Sequence, residues 1–346
     1  MEKIIKQVVG IDVAKKELVV TMGKMGGDLK PNLYGHNAFA NNAKGFEALT
    51  QWVKKNTSTA IEVRFIMEAT GIYHESLTYF LDARGYNLSI VLPNRISNYA
   101  RTLEVKTITD RTAADAIAMF GLERHMESWK KPKKIYKNLR QLTRERGQLI
   151  EERTVVKNQL HAEQTEAEPN KATIKRLNDR IRFINKQHDQ IQQEIENLIK
   201  SDKEVSLQIT RLCTIPGIGL LSASIILAET NGFDLIKSKR QLSSYAGLDV
   251  VEKQSGTSVR GKAKISKRGN KYLRKVMHYP ALAAIRHDER FKAVYARTIA
   301  RHGIKMKAIV PVQRKLLELA YTLFKRQEDY NKSYLIETME RSPAHA

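Results

Sequence analysis

Heptad spacing over residues 136–203 constrains the fold of this chain more than any other feature of the sequence. Apolar side chains recur three or four residues apart in two sets: Leu139, Leu142, Leu149, Val156 and Leu160, and then Ile174, Leu177, Ile181, Ile184, Ile191, Ile195 and Leu198. This spacing is typical of helices that pack along a seam, and Pro169 between the sets interrupts a helix. The sequence therefore predicts two long helices joined by a turn, projecting as a hairpin.

Polar residues in the seam leave two interpretations of this hairpin. Arg146 and Arg153 take seam places in the first set, and His188 takes one in the second. The helices either pack on their own domain or form a coiled coil between subunits. Charged groups are costly in a sealed core but are tolerated where they set the register of an oligomer, which favours the subunit contact.

Residues 1–130, before the hairpin, alternate between strand and helix patterns. Runs rich in β-branched residues predict strands over 8–13, 17–21, 63–68 and 88–93, and amphipathic spacing predicts helices over 42–55, 73–83 and 111–123. A hairpin followed by alternating strands and helices indicates an α/β domain with a mixed sheet. A Rossmann domain is excluded because no glycine-rich turn follows the first strand.

Residues 205–346 are predicted to be mainly helical and carry most of the positive charge. The chain has 60 Lys and Arg against 37 Asp and Glu, and residues 253–315 alone contain eighteen basic residues and two acids. Each phosphate that a protein neutralises releases a counterion, so this excess favours a nucleic acid as partner. The turn at 215–219 is either a phosphate-binding helix N-terminus or only a compact helix connection.

Composition excludes several other classes of protein. A single cysteine, Cys213, rules out an internal disulfide framework and an all-cysteine metal site. The apolar stretches are far shorter than the roughly 18 residues that a membrane span needs. We expect a cytoplasmic protein with no membrane partner.

Three acids stand at places where a sheet and a helix can bring them together. Asp12 lies inside the first predicted strand, Glu68 ends the third, and Asp110 begins the last predicted helix of this domain. Clustered carboxylates repel unless a hard cation lies among them, which predicts a Mg²⁺ site, with Mn²⁺ as a possible substitute. In the alternative interpretation Asp12 caps a turn and Asp110 caps its helix.

The motifs together resemble a known family. VVGIDVAKKEL, MEATGIYHESL, TDRTAADAIAMFG, TIPGIGLLSASIILAE, YAGLDVVEKQSGTSVRGKAKISKRGNKYLRK and VPVQRKLLELAY occur in the order found in the DEDD-type insertion-sequence transposases, the RNA-guided bridge recombinases related to Piv-type DNA invertases. The resemblance covers nearly the whole chain. It implies a RuvC-like, RNase H-fold domain at 1–130, a coiled-coil hairpin at 131–204 and a helical transposase domain at 205–346.

The resemblance also implies a mechanism and partners. Asp12, Glu68 and Asp110 match the metal-binding acids, and Ser255 matches a serine nucleophile that forms a phosphoserine link to DNA. A structured non-coding guide RNA would pair with target and donor DNA. The protein would be a homo-oligomer, a dimer that assembles to a tetramer, with serine and acids meeting from different subunits.

Basic residues around Ser255 are candidates for holding nucleic-acid phosphates. They are Arg260, Lys262, Lys264, Lys267, Arg268, Lys271, Arg274 and Lys275. Ser266 is the rival nucleophile and ranks second, because the family motif places the serine directly before a glycine. A serine hydroxyl needs a metal or a base to activate it, and no histidine is near Ser255 in sequence.

Position 113 departs from the family pattern. The motif has a second acid three residues after the first, and this position is Ala113. Asp115 is a poor substitute, because a residue five positions on lies roughly 140° from Asp110 around the helix axis, against about 60° for one three positions on. We hypothesise that strand cleavage is weakened while nucleic-acid binding persists. The alternatives are a RuvC-like nuclease or resolvase that uses water, and a catalytically inert nucleic-acid-binding scaffold.

Overall fold

The computed structural model describes residues 4–69, 71–103, 107, 109–252, 254–255, 259–261 and 264–331; at 254–255 and 259–260 the backbone alone is described. The chain divides into two compact units, Met1–Lys131 and Pro132–Ala346. The hairpin belongs to the second unit, and the three-domain division stays a prediction.

A five-stranded sheet forms the centre of the first unit. Its elements are β1 (Ile4–Val13), β2 (Glu17–Gly26), β3 (Pro31–Ala40), α1 (Ala43–Asn56), β4 (Val63–Glu68), α2 (Glu75–Ala83), β5 (Asn87–Val91), α3 (Pro93–Ala100) and α4 (Asp110–Glu123), with a 3-10 turn at Arg101–Leu103. The strand order is β3-β2-β1-β4-β5. β1, β2 and β3 are antiparallel neighbours, whereas β4 and β5 run parallel to β1, so the predicted mixed sheet is confirmed.

β3 and α3 are elements that the sequence pattern does not predict. β3 lies at the edge of the sheet, and its residues are half-buried or exposed. It therefore lacks the β-branched, apolar alternation by which the inner strands are recognised.

Both faces of this sheet are covered. Side chains alternate between the faces of a strand, so Val9 and Ile11 pack with Phe46 on one side, while Val8 packs with Ile117 on the other. The second face carries α4, which brings its N-terminus to the carboxyl ends of β1 and β4.

The second unit is mainly helical, as predicted. Its helices are α5 (Lys134–Thr165), α6 (Lys171–Lys200), α7 (Lys203–Cys213), α8 (Leu220–Thr230), α9 (Lys239–Tyr245), α10 (Lys271–Val276), α11 (His278–His287), α12 (Glu289–His302) and α13 (Lys305–Arg326). Short strand pairs join α9 to α10: β6 (Val250–Val251) pairs with β9 (Lys264–Ile265), and β7 (Gln254–Ser255) pairs with β8 (Val259–Arg260).

α5 and α6 occupy the two heptad segments and pack against each other. Val156, Leu177 and Ile184 are buried in their seam, and the base of the pair joins the main core of the unit. Arg153 donates a hydrogen bond to Asn185 at 2.9 Å. The Nε atom of Arg146 is buried without a hydrogen-bond partner among the described residues. None of the helices in the described ranges is both long and apolar enough to cross a membrane.

Candidate active site

Glycines let α4 lie directly on the sheet. A Cβ atom at Gly10 would come within 2.4 Å of the Ala118 amide nitrogen and 2.6 Å of the Ala114 carbonyl oxygen. A Cβ at Gly121, on α4 itself, would meet the side chain of Ile66 at 1.8 Å. Since real Cβ contacts are never this short, glycine at both positions permits the close packing that places the N-terminus of α4 beside the strand ends.

The register of the sheet puts two of the predicted acids side by side. Gly10 on β1 pairs with Ile66 on the parallel strand β4, and both residues face α4. Asp12 and Glu68 each lie two residues further along, so they occupy neighbouring positions on the same face.

Asp110 reaches the same place from the helix. It is the first residue of α4, where the helix dipole favours a negative charge. Thr109 fixes this start as N-cap, because its hydroxyl accepts from the Thr112 amide while the Thr112 hydroxyl accepts from the Thr109 amide. The capping residue is thus Thr109, and Asp110 is left to face the acids.

Asp12 lies near enough to the other two acids for their charges to act on it. Burial raises the pKa of Asp12 above its ordinary value, and the negative charges of Asp110 and Glu68 raise it further, against a lowering by the Val13 backbone amide. These three carboxylates therefore share one environment, formed at the carboxyl ends of β1 and β4 beneath the start of α4.

The chemistry of these three side chains suits a divalent cation, but the spacing between them is too wide to hold one. Carboxylate oxygens are the ligands that Mg²⁺ and Mn²⁺ prefer, and mutual repulsion among three of them is relieved by a cation. Within the described ranges, however, no three Asp, Glu, His or Cys side chains are grouped closely enough to hold a metal ion.

Ala113, where the resemblance implies an acid, lies one turn into α4. Ala113 is half-buried, and Ala114 beside it lies against Gly10. Asp115 points elsewhere, as helical geometry predicts: it accepts a hydrogen bond from the Thr21 hydroxyl at 2.6 Å and lies 3.4 Å from Nδ1 of His36. Asp115 is therefore held by β2 and β3 and does not replace an acid at 113.

The predicted nucleophile lies in the second unit. Ser255 is part of β7 and pairs with Val259 on β8. The side chains of Ser255 and Arg260 and the whole of Lys262 lie outside the described residues.

The rival serine has a clear structural contact. The Ser266 hydroxyl donates to the Asp249 carboxylate and accepts from the Arg268 amide. The Ser266 amide also donates to the Asp249 carbonyl oxygen at 2.8 Å. These bonds fasten Ser266 to Asp249 in the loop after α9, a role that needs no chemistry from the hydroxyl.

The predicted phosphate-binding residues divide into two groups. Lys264, Lys267, Arg268 and Lys271 are exposed and form no ion pair with any described residue. Arg274 instead donates to the Ala246 carbonyl oxygen at 2.9 Å, and Lys275 pairs with Glu151 at 2.7 Å. The first group remains available to an anion, whereas Arg274 and Lys275 already have partners within the chain.

Glu229 holds the start of α10 in place, and the sequence analysis did not identify this residue. Its buried carboxylate accepts two hydrogen bonds from Arg144 and one from the side chain of Asn270, the N-cap of α10. Tyr245 donates to the Glu229 carbonyl oxygen. A charged residue in the apolar stretch LLSASIILAET was the available signal, because buried charges need partners.

Two transposase family models match the sequence of this chain. The model of the IS110-type DEDD transposases matches residues 9–168, and the model described as Transposase IS116/IS110/IS902 family matches residues 209–296. The first match contains Asp12, Glu68 and Asp110, and the second contains Ser255.

Individual proteins show the same similarity. The pilin gene-inverting protein of Moraxella lacunata is 29% identical over 94% of this chain and 98% of its own length. The transposase for insertion sequence element IS1111A of Coxiella burnetii is 28% identical over 40% of this chain and 38% of its own. The match to T. thermophilus RuvC, solved with a Holliday junction substrate, covers 36% of this chain and 99% of that protein at 11% identity, with a TM-score of 0.28.

Proposed function

Because the chain belongs to the DEDD-type IS110 transposase family, we propose that it is a DNA transposase or recombinase guided by RNA. Strand cleavage and exchange proceed through a phosphoserine intermediate at Ser255. Cleavage is weakened by Ala113, which stands where the family has an acid.

The convergence of Asp12, Glu68 and Asp110 is the single observation that carries this proposal. The three acids are far apart in sequence, yet the negative charges of the other two raise the pKa of Asp12. A scaffold with no catalytic role would gain nothing from such repulsion, which a structure normally avoids.

The three carboxylates would hold Mg²⁺, or Mn²⁺ in its place, and the bound cation would stabilise negative charge at the reacting phosphate. The role of the protein is to fix the acids. Gly10 permits α4 to lie on the sheet, and Thr109 fixes the first turn so that Asp110 faces Asp12. An acid at 113 would add a fourth carboxylate to these three.

Ser255 is proposed to attack a DNA phosphate, forming the bond from its Oγ atom to phosphorus as the bond to one strand oxygen breaks. The serine gives up its proton, and the strand oxygen takes up a proton and leaves as a terminal hydroxyl. Lys264, Lys267 and Arg268 lie exposed in the same segment and would neutralise phosphates. Ser266 is a weaker candidate because its hydroxyl is bonded to Asp249.

The proposed partners are target DNA, donor DNA and a structured non-coding guide RNA that reads sequence by base pairing. The protein would hold backbone and shape, as in other guided effectors. We also propose that α5 and α6 join subunits into a dimer and then a tetramer. This proposal rests on the polar residues in the heptad seam, among them Arg146 and His188, because such residues are tolerated where they set the register of an oligomer.

Restoring the fourth acid tests the catalytic proposal. The Ala113→Asp variant and the present chain are compared in a DNA cleavage assay with Mg²⁺, using the RNA that co-purifies with the protein. We expect at least about tenfold faster cleavage by the variant, equivalent to about 1.4 kcal/mol of activation free energy. Addition of Mg²⁺ should also raise the Tm of the variant more than that of the present chain. Equal cleavage rates would defeat the assignment of Ala113.

A second substitution separates serine chemistry from hydrolysis by water. In the Ala113→Asp background, Ser255→Ala should abolish the covalent protein–DNA adduct and strand exchange. A nuclease or resolvase that uses water would keep cleaving DNA after this change. A scaffold would show neither cleavage nor a Mg²⁺-dependent rise in Tm in either background.

A further inference from the structure

The turn between α12 and α13 presents a second basic surface, outside the residues singled out around Ser255. Four exposed cations surround this turn: Arg297 and Arg301 on α12, and Lys305 and Lys307 on α13. None of the four forms an ion pair with another residue in the described part of the chain. By contrast, Lys292 on the preceding turn of α12 pairs with Glu289 at 3.1 Å.

The start of α13 departs from what helix stability favours. Lys305 and Lys307 lie in its first turn, which contains no acid, and cations at a helix N-terminus oppose the helix dipole. The N-cap residue is Ile304, which provides no side-chain hydrogen bond to the free amides. Local departures of this kind indicate a role other than folding, because folding alone would favour acids and a polar cap here.

Two apolar side chains project among these cations. Ile304 is 47% exposed and Met306 is 63% exposed. Large apolar side chains flanked by cations suit a duplex nucleic acid, where cations hold phosphates and an apolar wedge enters between base steps from the minor groove. A solvated basic face would not need the two apolar residues.

Resting on the proposed function, we infer that this turn, residues 297–307, is a docking surface for duplex DNA. Arg297, Arg301, Lys305 and Lys307 bind phosphates on both sides of the groove. Ile304 and Met306 lie against the base steps and bend the duplex. The surface lies wholly beyond residues 209–296, the range of the second family match.

The test uses the full chain and a labelled duplex DNA whose binding is followed by fluorescence anisotropy at several salt concentrations. The variant is Lys305→Glu with Lys307→Glu, and the matched control is Lys54→Glu with Lys55→Glu, two exposed lysines in the last turn of α1. We expect the variant to lose about tenfold or more in affinity and to reduce the log–log salt slope by about 2, because two phosphate contacts are removed.

Thermal unfolding of the same proteins separates binding from folding. The Tm of the variant should stay unchanged or rise, because acids suit the first turn of a helix, whereas the control should lose a little Tm and keep its affinity. A variant with the affinity and salt slope of the control would overturn the inference. A loss of affinity would also overturn the inference if the Tm of the variant fell with it, because unfolding would then explain the weaker binding.

Apolar truncation tests the wedge separately. Ile304→Ser with Met306→Ser should keep the salt slope and reduce bending of a duplex labelled at both ends for energy transfer. Unchanged bending overturns the wedge. A matching RNA duplex serves as a further probe: if the Glu variant loses RNA affinity alone, DNA is the wrong partner. Because these readouts need no cleavage, failure of the Ala113→Asp assay leaves them interpretable.

Discussion

Arg144 on α5 and Glu229 on α8 form a bidentate ion pair, with distances of 2.7 and 2.8 Å between their guanidinium nitrogens and carboxylate oxygens. The Glu229 side chain is only 1% exposed. Asn270 donates to the same carboxylate at 2.6 Å. Through Asn270, the pair therefore links the base of the hairpin to the start of α10.

Removing Arg144 should destabilise the second unit. In Arg144→Met the Glu229 carboxylate stays buried with one donor fewer on each oxygen, and we expect a loss of about 3 kcal/mol in the free energy of unfolding, measured with urea. Lys275→Ala is the control, since it breaks an exposed ion pair with Glu151 and should leave the urea midpoint unchanged. Similar midpoints for both variants would contradict the structural role of the buried pair.

A methyl group at Gly10 should move α4 away from the acids. Gly10→Ala places a Cβ atom 2.4 Å from the Ala118 amide nitrogen, so the helix must shift. We expect this shift to lower the free energy of unfolding by about 1–3 kcal/mol. In the Ala113→Asp background we also expect weaker cleavage, because Asp110 moves with the helix. Gly27→Ala, which meets nothing within 4 Å, is the matched control. Normal cleavage by a destabilised Gly10→Ala protein would show that the position of α4 does not limit the site.

Ser266 and Ser255 should behave differently when each is replaced by alanine. Ser266→Ala loses the hydrogen bond to Asp249 and should reduce stability by about 1 kcal/mol while leaving the covalent adduct intact in the Ala113→Asp background. The adduct is detected as labelled DNA retained on the protein in a denaturing gel. Loss of the adduct in Ser266→Ala and its persistence in Ser255→Ala would reverse the assignment of the nucleophile.

Asp288, the N-cap of α12, should make stability depend on pH in the acid range. Burial alone would raise its pKa, but hydrogen bonds from Tyr330 and from the backbone and side chain of Arg290 hold the pKa of Asp288 below its ordinary value. The contribution to stability is then present above the unfolded-state pKa of about 3.9 and is lost as pH falls through the folded-state pKa.

Replacement of Asp288 by asparagine reveals this contribution. At neutral pH, Asp288→Asn should lower the free energy of unfolding by about 1–3 kcal/mol. The difference in this free energy between the variant and the unchanged protein should become smaller as pH falls below about 4. Urea midpoints across this range give the measurement. Asp179→Asn, in an exposed pair with Arg182, is the control and should show no such trend. A gap that does not change with pH would contradict the role of the charge.

Periodicity in the sequence was enough to predict most elements of the first unit and both helices of the hairpin. β-Branched runs predict strands at 63–68 and 88–93, and the structure has β4 at Val63–Glu68 and β5 at Asn87–Val91. These patterns are local, since burial of one face imposes a period of two on a strand and about 3.6 on a helix. β3 escapes prediction because an exposed edge strand has no such constraint.

The sequence by itself determined which residues are candidates for chemistry: acids at Asp12, Glu68 and Asp110, an alanine at 113, and a basic segment after residue 253. Only the tertiary structure decided that those acids share one environment, that Asp115 is held by Thr21, and that Ser266 is fastened to Asp249. The physical reason is that such contacts depend on how closely distant segments pack. At Gly10 the absence of one methyl group sets that distance, and no local pattern records it.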